Sequence, residues 1–355
     1  MFASLDGEDL RHLRKMEWIG RLCSFVGYAT AWILPNPVSA FLISQGNLTR
    51  WMLMHHISHR GYDRVPGVPE RYTSRVFAQG WRRFIDWFDW IVPEAWSHEH
   101  NVLHHYHTGE HADPDLVERN VGYLRRSKRP VWLRRVHVAL LAATWKASFY
   151  APSTMHALQN ERRRKRGAPP AEHGFLRLFD PRSREGRELW LRSLLPYALA
   201  RFVVLPALFL PLGWFAAASV LLSSVMAEVM TNVHAFIVIG PNHTGDDLFR
   251  FGRPAGDQQE FYARQVLGSV NYRTGSEPVD YLQAYLNYQI EHHLWPDLPM
   301  LKYRQFAPRA KALCAKYGLR YLQEPVGARV RKLLDVMVGK TSMQRVLSFS
   351  KSPPA

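Results

Sequence analysis

The chain has 355 residues and a net charge of +16, with 47% hydrophobic and 13% aromatic residues but only two cysteines, Cys23 and Cys314. Two cysteines so far apart exclude a disulfide framework, a zinc ribbon and an iron–sulfur cluster, and suit a reducing compartment. The positive charge is not read as a nucleic-acid signature. Its arginines flank apolar runs, as in "RRFIDWFDW" and "RRSKRPVWLRRVHVALL", the pattern of a chain lying against an anionic leaflet.

In chain order, residues 1–21 are too polar for a signal-peptide core and are expected to form a cytoplasmic segment. Residues 22–54 read as a first helical hairpin: no charge occurs from Leu22 to Thr49, and Pro35-Asn36-Pro37 breaks the run. Leu22–Leu34 is short for a span, so a shallow or re-entrant hairpin is an alternative. Residues 55–188 are arginine-rich and belong on the cytoplasmic side, with 81–92 and 131–150 as interfacial helices and "RRRKRGAPPAEHG" (162–174) as a mobile loop. Residues 189–239 form the second hairpin. Leu189–Leu210 and Trp214–Ile239 are each long enough for a hydrocarbon core of about 30 Å, and Pro211-Leu212-Gly213 makes the tip. Two charges fall inside it: Arg201 is expected to reach towards an interface and Glu228 to face protein. Residues 240–355 complete the cap and end in a basic tail with helical periodicity. The whole is read as one all-α integral membrane domain, two transmembrane hairpins carrying a cytoplasmic helical cap.

Histidine supplies the chemistry. In "HHISH", His55 and His59 share a helical face where the first hairpin ends. In "HNVLHH", His100 and His104 share a face, while the adjacent His104 and His105 diverge by about 100° and can serve two different metals. "QIEHH" repeats the adjacent pair as His292 and His293, with Gln289 before it, and "NVHAFIVIGPNH" offers His234 and His243. Any one cluster is weak evidence; three brought to one membrane face imply a shared metal centre. The zinc motif H-E-x-x-H and the Glu-x-x-His of carboxylate di-iron bundles are both absent. Eight or nine imidazoles suit two octahedral-leaning transition metals with an open position for an oxygen species, for which iron is the usual choice.

The order H-x-x-x-H, H-x-x-x-H-H, Q-x-x-H-H resembles the membrane fatty-acid desaturase superfamily, and "HNVLHH" with "NYQIEHHLWPDLP" is similar to its acyl-lipid and front-end branch. The resemblance extends from about Trp51 to Tyr321. It implies a di-iron site above a kinked acyl channel and O2-dependent dehydrogenation of a methylene pair. Carried over by motif, it makes His55, His59, His100, His104, His105, His292 and His293 ligands, with His243 as the lone histidine after the last span. His234 is a rival for that last role, and Gln289 takes the place of a weaker or water-bridged ligand. His56, His98, His107 and His111 fall outside the motif, and Asp113 and Asp115 in "HADPD" are candidates either to orient imidazoles or for a cap or surface role. Trp51, Trp81, Trp87, Trp90, Trp96 and Trp295 either line the channel or, the preferred reading for most, form an interfacial belt.

Unlike fused front-end enzymes, the chain has no His-Pro-Gly-Gly haem stretch, so an external electron donor, a ferredoxin or free cytochrome b5, is required. The expected substrate is a lipid-linked fatty acyl chain, with no nucleic-acid partner, and the expected location is a bacterial inner membrane with the active site facing the cytoplasm. Two other readings compete. One is a lipid, sphingolipid or carotenoid hydroxylase or oxygenase on the same scaffold. The other is a non-catalytic metal-binding or transport protein, whose histidines should instead lie along the spans.

Overall fold

The structure is a computed structural model that describes residues 4–171 and 175–346. Helix α1 spans Gly7–Ala31 and begins at a capping box: Asp6 accepts from the Glu8 amide at 2.8 Å and its own amide donates to Asp9 at 3.0 Å. Helix α2, Pro37–Ser58, starts at Asn36, whose side chain accepts from the Ser39 amide at 2.7 Å, with Pro37 in the first turn. Pro35-Asn36-Pro37 thus breaks the run between α1 and α2, as the sequence reading expected.

The two helices pack closely because glycine removes side chains at their crossing. A Cβ on Gly46 would lie 2.0 Å from Ser24 Oγ and 2.9 Å from the Gly20 carbonyl oxygen. Gly46→Val is therefore expected to cost about 1–3 kcal/mol through overpacking. The readout is the thermal midpoint of the detergent-solubilised protein, and an unchanged midpoint would contradict the close approach.

The first arm is longer than its uncharged part suggests. The N-terminal half of α1, expected as a separate segment, is built into the cap: His12 Nε2 lies 2.6 Å from Tyr285 Oη, and fully buried Asp9 lies 3.3 Å from Lys302 Nζ.

Helix α3 covers 93–107 and opens on Pro93, but its central turn, His98–His104, widens to π geometry. Helix α4 covers 131–165, α5 is Arg184–Leu212 and α6 is Trp214–Ile239. Three more π turns end at Tyr150, Leu194 and Val204, each two residues before a proline, Pro152, Pro196 and Pro206. Proline has no N–H to give the preceding turn, so the helix widens instead of breaking. The α3 turn has no such proline, and it is the one that carries histidines.

Helices α5 and α6 follow one another through a turn at Gly213, and both are apolar and long enough to cross a membrane. Gly213, at φ 104°, makes the tip, a conformation that disfavours any Cβ. Glu228 faces protein, accepting from Trp90 Nε1 at 2.7 Å, Tyr197 Oη at 2.9 Å and Asn232 Nδ2 at 3.0 Å. Arg201 departs from expectation. It turns inward, with its guanidinium 5.4 Å from the centre of the Tyr28 ring, instead of reaching an interface.

Beyond α6 come strand β1 (Phe249–Phe251), α7 (Gln258–Leu267), β2 (Asn271–Tyr272), α8 (Gln289–Leu294), α9 (Met300–Lys316), β3 (Gln323–Glu324), α10 (Val326–Met337) and β4 (Gln344–Val346). The strands form two parallel pairs, β1 with β4 and β2 with β3, so the protein is mostly helical but not all-α. These pairs fold the C-terminal region back on the cap. The "basic tail" is thus largely structural up to residue 346, and Arg329, Leu333, Val336 and Met337 of α10 are buried.

Three other expectations are corrected. Residues 81–92 contain only a short helix, Arg83–Asp86, after a 3-10 turn, and Trp87 is fully buried. Trp51, Trp87 and Trp96 are core residues, not a belt; of the six tryptophans considered, only Trp81 is well exposed. Of the segment 162–174, residues up to Lys165 continue α4, and 172–174 lie outside the described residues.

Candidate metal centre

Four segments deliver imidazoles to one interior region: the C-terminal end of α2, the π turn of α3 and the residue after it, the loop that follows α6 and the short α8. His55, His59, His100, His105 and His292 bring ligand atoms to within 4.8 Å of one another, and His104, His243 and His293 form a second such group. Each adjacent pair is split between the two groups, as the 100° divergence requires: His104 and His293 join one, His105 and His292 the other. The groups touch, since the His105 and His293 rings stack at 4.3 Å.

The residues fit a metal. His55 Nε2 lies 3.0 Å from both His292 Nε2 and His100 Nε2. That is the separation of two cis ligands on a metal with bonds of about 2.1 Å, at an angle of about 90°. A neutral imidazole nitrogen carries either one hydrogen or one lone pair, so His55 Nε2 can make a well-formed hydrogen bond to only one of these two neighbours. His59, His105 and His293 each have a buried Nε2 with no hydrogen-bond partner, a costly arrangement unless a ligand takes the lone pair.

The opposite ring nitrogens are held. His104 Nδ1–H donates to Asp113 at 2.9 Å, His293 Nδ1–H to Gln265 Oε1 at 2.8 Å and His243 Nδ1–H to the Gly268 carbonyl at 2.9 Å. Tyr303 Oη takes His292 Nδ1–H at 3.1 Å while donating to the Pro296 carbonyl at 3.2 Å. These contacts fix the tautomer that leaves each Nε2 free to bind metal. Of these partners only Asp113 was foreseen. Gln265 and Tyr303 lie in no motif and come to the site through α7 and α9.

Burial, with the neighbouring imidazoles adding to it, holds His100, His105, His292 and His293 well below the usual histidine value, and His243 falls to about 3. The exception is His104. Burial opposes its protonation, but Asp113 and Asp115 outweigh that and raise it. Asp115 itself is pushed up to about 6 by burial and by Asp113, against the pull of His104. The cluster is accordingly neutral and ready to bind metal, with one carboxylate-supported member.

The weaker candidates separate. Gln289 Nε2 lies 2.8 Å from His243 Nε2, beside the second group. His234 stands outside both groups: its Nε2–H donates to the Leu282 carbonyl at 2.7 Å and its Nδ1 takes the Gln45 amide at 3.2 Å. Among residues outside the motif, His56 is buried against His55, His98 is half-buried, His107 pairs with Glu110 at 2.9 Å and His111 is exposed.

Beside the imidazoles lies a cavity of about 1200 Å3, whose lining includes His55, His100, His104, His243 and Gln289. Small-molecule pockets run to roughly 300–1,000 Å3, so this one suits a long ligand. Leu141, Trp145, Phe149, Ser153, His156, Asn160 and Arg164 line it from one face of α4, a rise of about 35 Å. Trp51, Phe236, Ile239, Leu333 and Met337 add apolar surface from α2, α6 and α10.

The structure thus has a buried imidazole cluster able to hold metal ions, beside a long, largely apolar cavity, in a chain with two helices apolar and long enough to cross a membrane. The chain belongs to the fatty acid desaturase family, whose model matches residues 18–325. It is 29% identical over 234 residues to the NADPH-dependent stearoyl-CoA 9-desaturase of Mycobacterium tuberculosis, covering 64% of this chain and 51% of that protein. Two Dictyostelium discoideum proteins are also similar. Acyl-lipid (8-3)-desaturase B is 24% identical over 252 residues (65% of this chain, 50% of the relative), and Delta(5) fatty acid desaturase A is 21% identical over 290 (77% and 56%). The chain therefore spans about half the length of these curated relatives.

Proposed function

We propose that the protein is an O2-dependent fatty acyl desaturase with two irons, one held by His55, His59, His100, His105 and His292 and the other by His104, His243 and His293, with Gln289 alongside. The observation that carries this reading is the convergence of these eight imidazoles in two adjoining groups, with four of the rings, His55, His100, His104 and His243, lining one long, largely apolar cavity. When bound, the irons and O2 supply the oxidising power that side-chain acids and bases lack for an unactivated C–H bond. In balance, a methylene pair, O2, two electrons and two protons give an olefin and two waters.

The chain's own residues position and shield. The face of α4 and Phe236 hold the acyl chain extended past His100 and His104, and their apolar surface excludes water. Asp113, Gln265, Tyr303 and the Gly268 carbonyl keep His104, His293, His292 and His243, respectively, in one tautomer and orientation.

A lipid-linked substrate in a membrane is supported by the outer surface. Helix α4 turns Trp132, Val136 and Leu140 outward, and exposed Tyr123 and Leu176 belong to the cavity lining, so an acyl chain can enter from the bilayer. A cytoplasmic site in a bacterial inner membrane accords with the basic charge. So does a separate acidic donor, a ferredoxin or free cytochrome b5, with NADPH as the ultimate reductant on the pattern of the Mycobacterium relative's name.

The test is expression in a host of known lipid composition, followed by mass spectrometry of double-bond positions in its acyl chains. A new olefin in phospholipid is expected. A new hydroxyl would favour a hydroxylase, and no change in any lipid would overturn the reading.

Chain-length tolerance gives a second expectation. Trp51, Trp145, Tyr150 and Ile239 separate the main cavity from a void of about 10 Å3 that reaches Leu48 and Thr231 between α2 and α6. Trp145 stacks on Tyr150 at 5.0 Å and meets Phe236 edge-on at 5.9 Å. Trp145→Ala joins the two spaces, so the variant should accept acyl chains longer than the wild type does. The measurement is the product profile across a series of fed chain lengths. An unchanged profile with retained activity would remove Trp145 from the wall that limits the chain.

A further inference from the structure

The loop after α6 carries His243 without regular structure to hold it. It leaves α6 through a 3-10 turn, Gly240–Asn242, and His243 follows at once. Fully buried Asn242 fixes one side, donating to the Val270 and Leu286 carbonyls at 2.9 Å each and accepting from the Val270 amide at 2.9 Å. The other side is fixed from 85 residues away. Arg329 of α10 is fully buried, and its Nη2 donates to the Thr244 carbonyl at 3.0 Å and reaches the Pro241 carbonyl at 3.5 Å. Its Nη1 donates to both oxygens of Asp247, at 2.6 and 2.8 Å, and to Glu324 at 3.3 Å. Lys332 adds to the same acids, at 2.7 Å to Asp247 and 2.8 Å to Glu324. The approach is close enough that a Cβ on Gly245 would sit 2.4 Å from Arg329 Nη2.

We infer that Arg329 is a positioning residue for the second metal site: it clamps the backbone on both sides of His243 and so sets where that imidazole's Nε2 points. A buried guanidinium that faces two carboxylates could be explained as a device for holding α10 in place. The carbonyls it takes, however, are those of residues 241 and 244, which bracket the histidine. A lysine would keep the charge but not the planar fork needed to reach carbonyls and carboxylates together. By contrast, His104 and His293, the other members of this group, have their own side-chain partners and do not depend on Arg329.

The inference rests on the two-metal reading above, and the experiment separates the two. Apo-protein in detergent is titrated with Co(II), following ligand-field absorption and bound metal per chain, with the thermal midpoint recorded alongside. Wild type is expected to bind two. Arg329→Lys is expected to keep the site of the five-histidine group and to weaken the other by about tenfold or more, the range seen when groups that orient ligands are lost. If Arg329→Lys does not fold, Asp247→Asn, which frees the guanidinium from its anchor without removing it, is titrated instead with the same expectation. Wild type binding fewer than two metals would sink the two-metal reading. Wild type binding two, with the variant binding both as tightly as wild type, would overturn the clamp even if the variant melts earlier.

Discussion

His104→Ala, His105→Ala and His293→Ala are each expected to bring product formation below about 1% of wild type, because under the proposed function no ordinary side-chain chemistry would substitute for a metal–oxygen oxidant. The three residues probe both groups. His105 belongs to the five-histidine set and His104 and His293 to the three-histidine set, so each variant should lose one metal per chain and keep the other. A structural explanation has to be separated, since these rings are buried and their removal leaves cavities. His293→Ala also leaves Gln265 Oε1 with only the Thr108 hydroxyl, at 3.2 Å, as donor, a loss of about 0.5–1.5 kcal/mol of stability. Membrane insertion and the thermal midpoint are therefore measured with metal content. His107→Ala is the control: His107 pairs with Glu110 near the surface, and such a pair is worth about 0–1 kcal/mol. That variant should keep activity within about twofold of wild type. Near-native turnover in the three core variants would mean that the shared centre does not exist.

The second large effect is expected at a residue that binds no metal. Asp113 is buried, and each of its oxygens has work: Oδ1 accepts from His104 Nδ1 at 2.9 Å and from the Asp115 amide at 2.9 Å, while Oδ2 accepts from the Gly109 amide at 2.8 Å. Asp113→Asn keeps the shape but removes the charge that supports His104, and it sets an amide N–H against the Gly109 amide. Metal affinity and turnover should fall together by about 10–100-fold. Asp113→Ala should in addition lower stability, because the Gly109 and Asp115 amides lose their acceptor. If Asp113→Asn bound metal as tightly as wild type, the carboxylate would be a loop-former and not a support for the ligand.

What could be read beforehand follows a physical division. Spans and turns are local. Leu189–Leu210, Gly213 and Trp214–Ile239 were legible because length, apolarity and a backbone that needs φ > 0 are properties of contiguous residues. The clustered histidines were legible for the same reason, since His55 and His59, or His104 and His105, carry their angular relation in their spacing. The exceptions lay where local rules leave a choice. Spacing alone did not distinguish His234 from His243, nine residues apart on one segment, and only the family resemblance favoured His243. The structure separates them by giving His234 a carbonyl and an amide of its own and leaving His243 against His104 and Gln289. The tryptophans misled because an amphipathic ring suits a belt and a core equally well, and only packing decides between them.

The sequence by itself determined the chemistry: neutral nitrogen donors at helical spacing beside apolar spans, with too few cysteines and no motif for another metal site. Tertiary structure decided which imidazoles are grouped together, which neighbours hold the rings of His104, His243, His292 and His293, and that the basic C-terminal region packs into the fold up to residue 346. Spacing along a helix sets which way neighbouring side chains point relative to one another. The distance between His55, His100 and His292 depends on how three separate helices cross, and the partners that hold them, Gln265, Tyr303 and Arg329, arrive from segments that share no local pattern with the site.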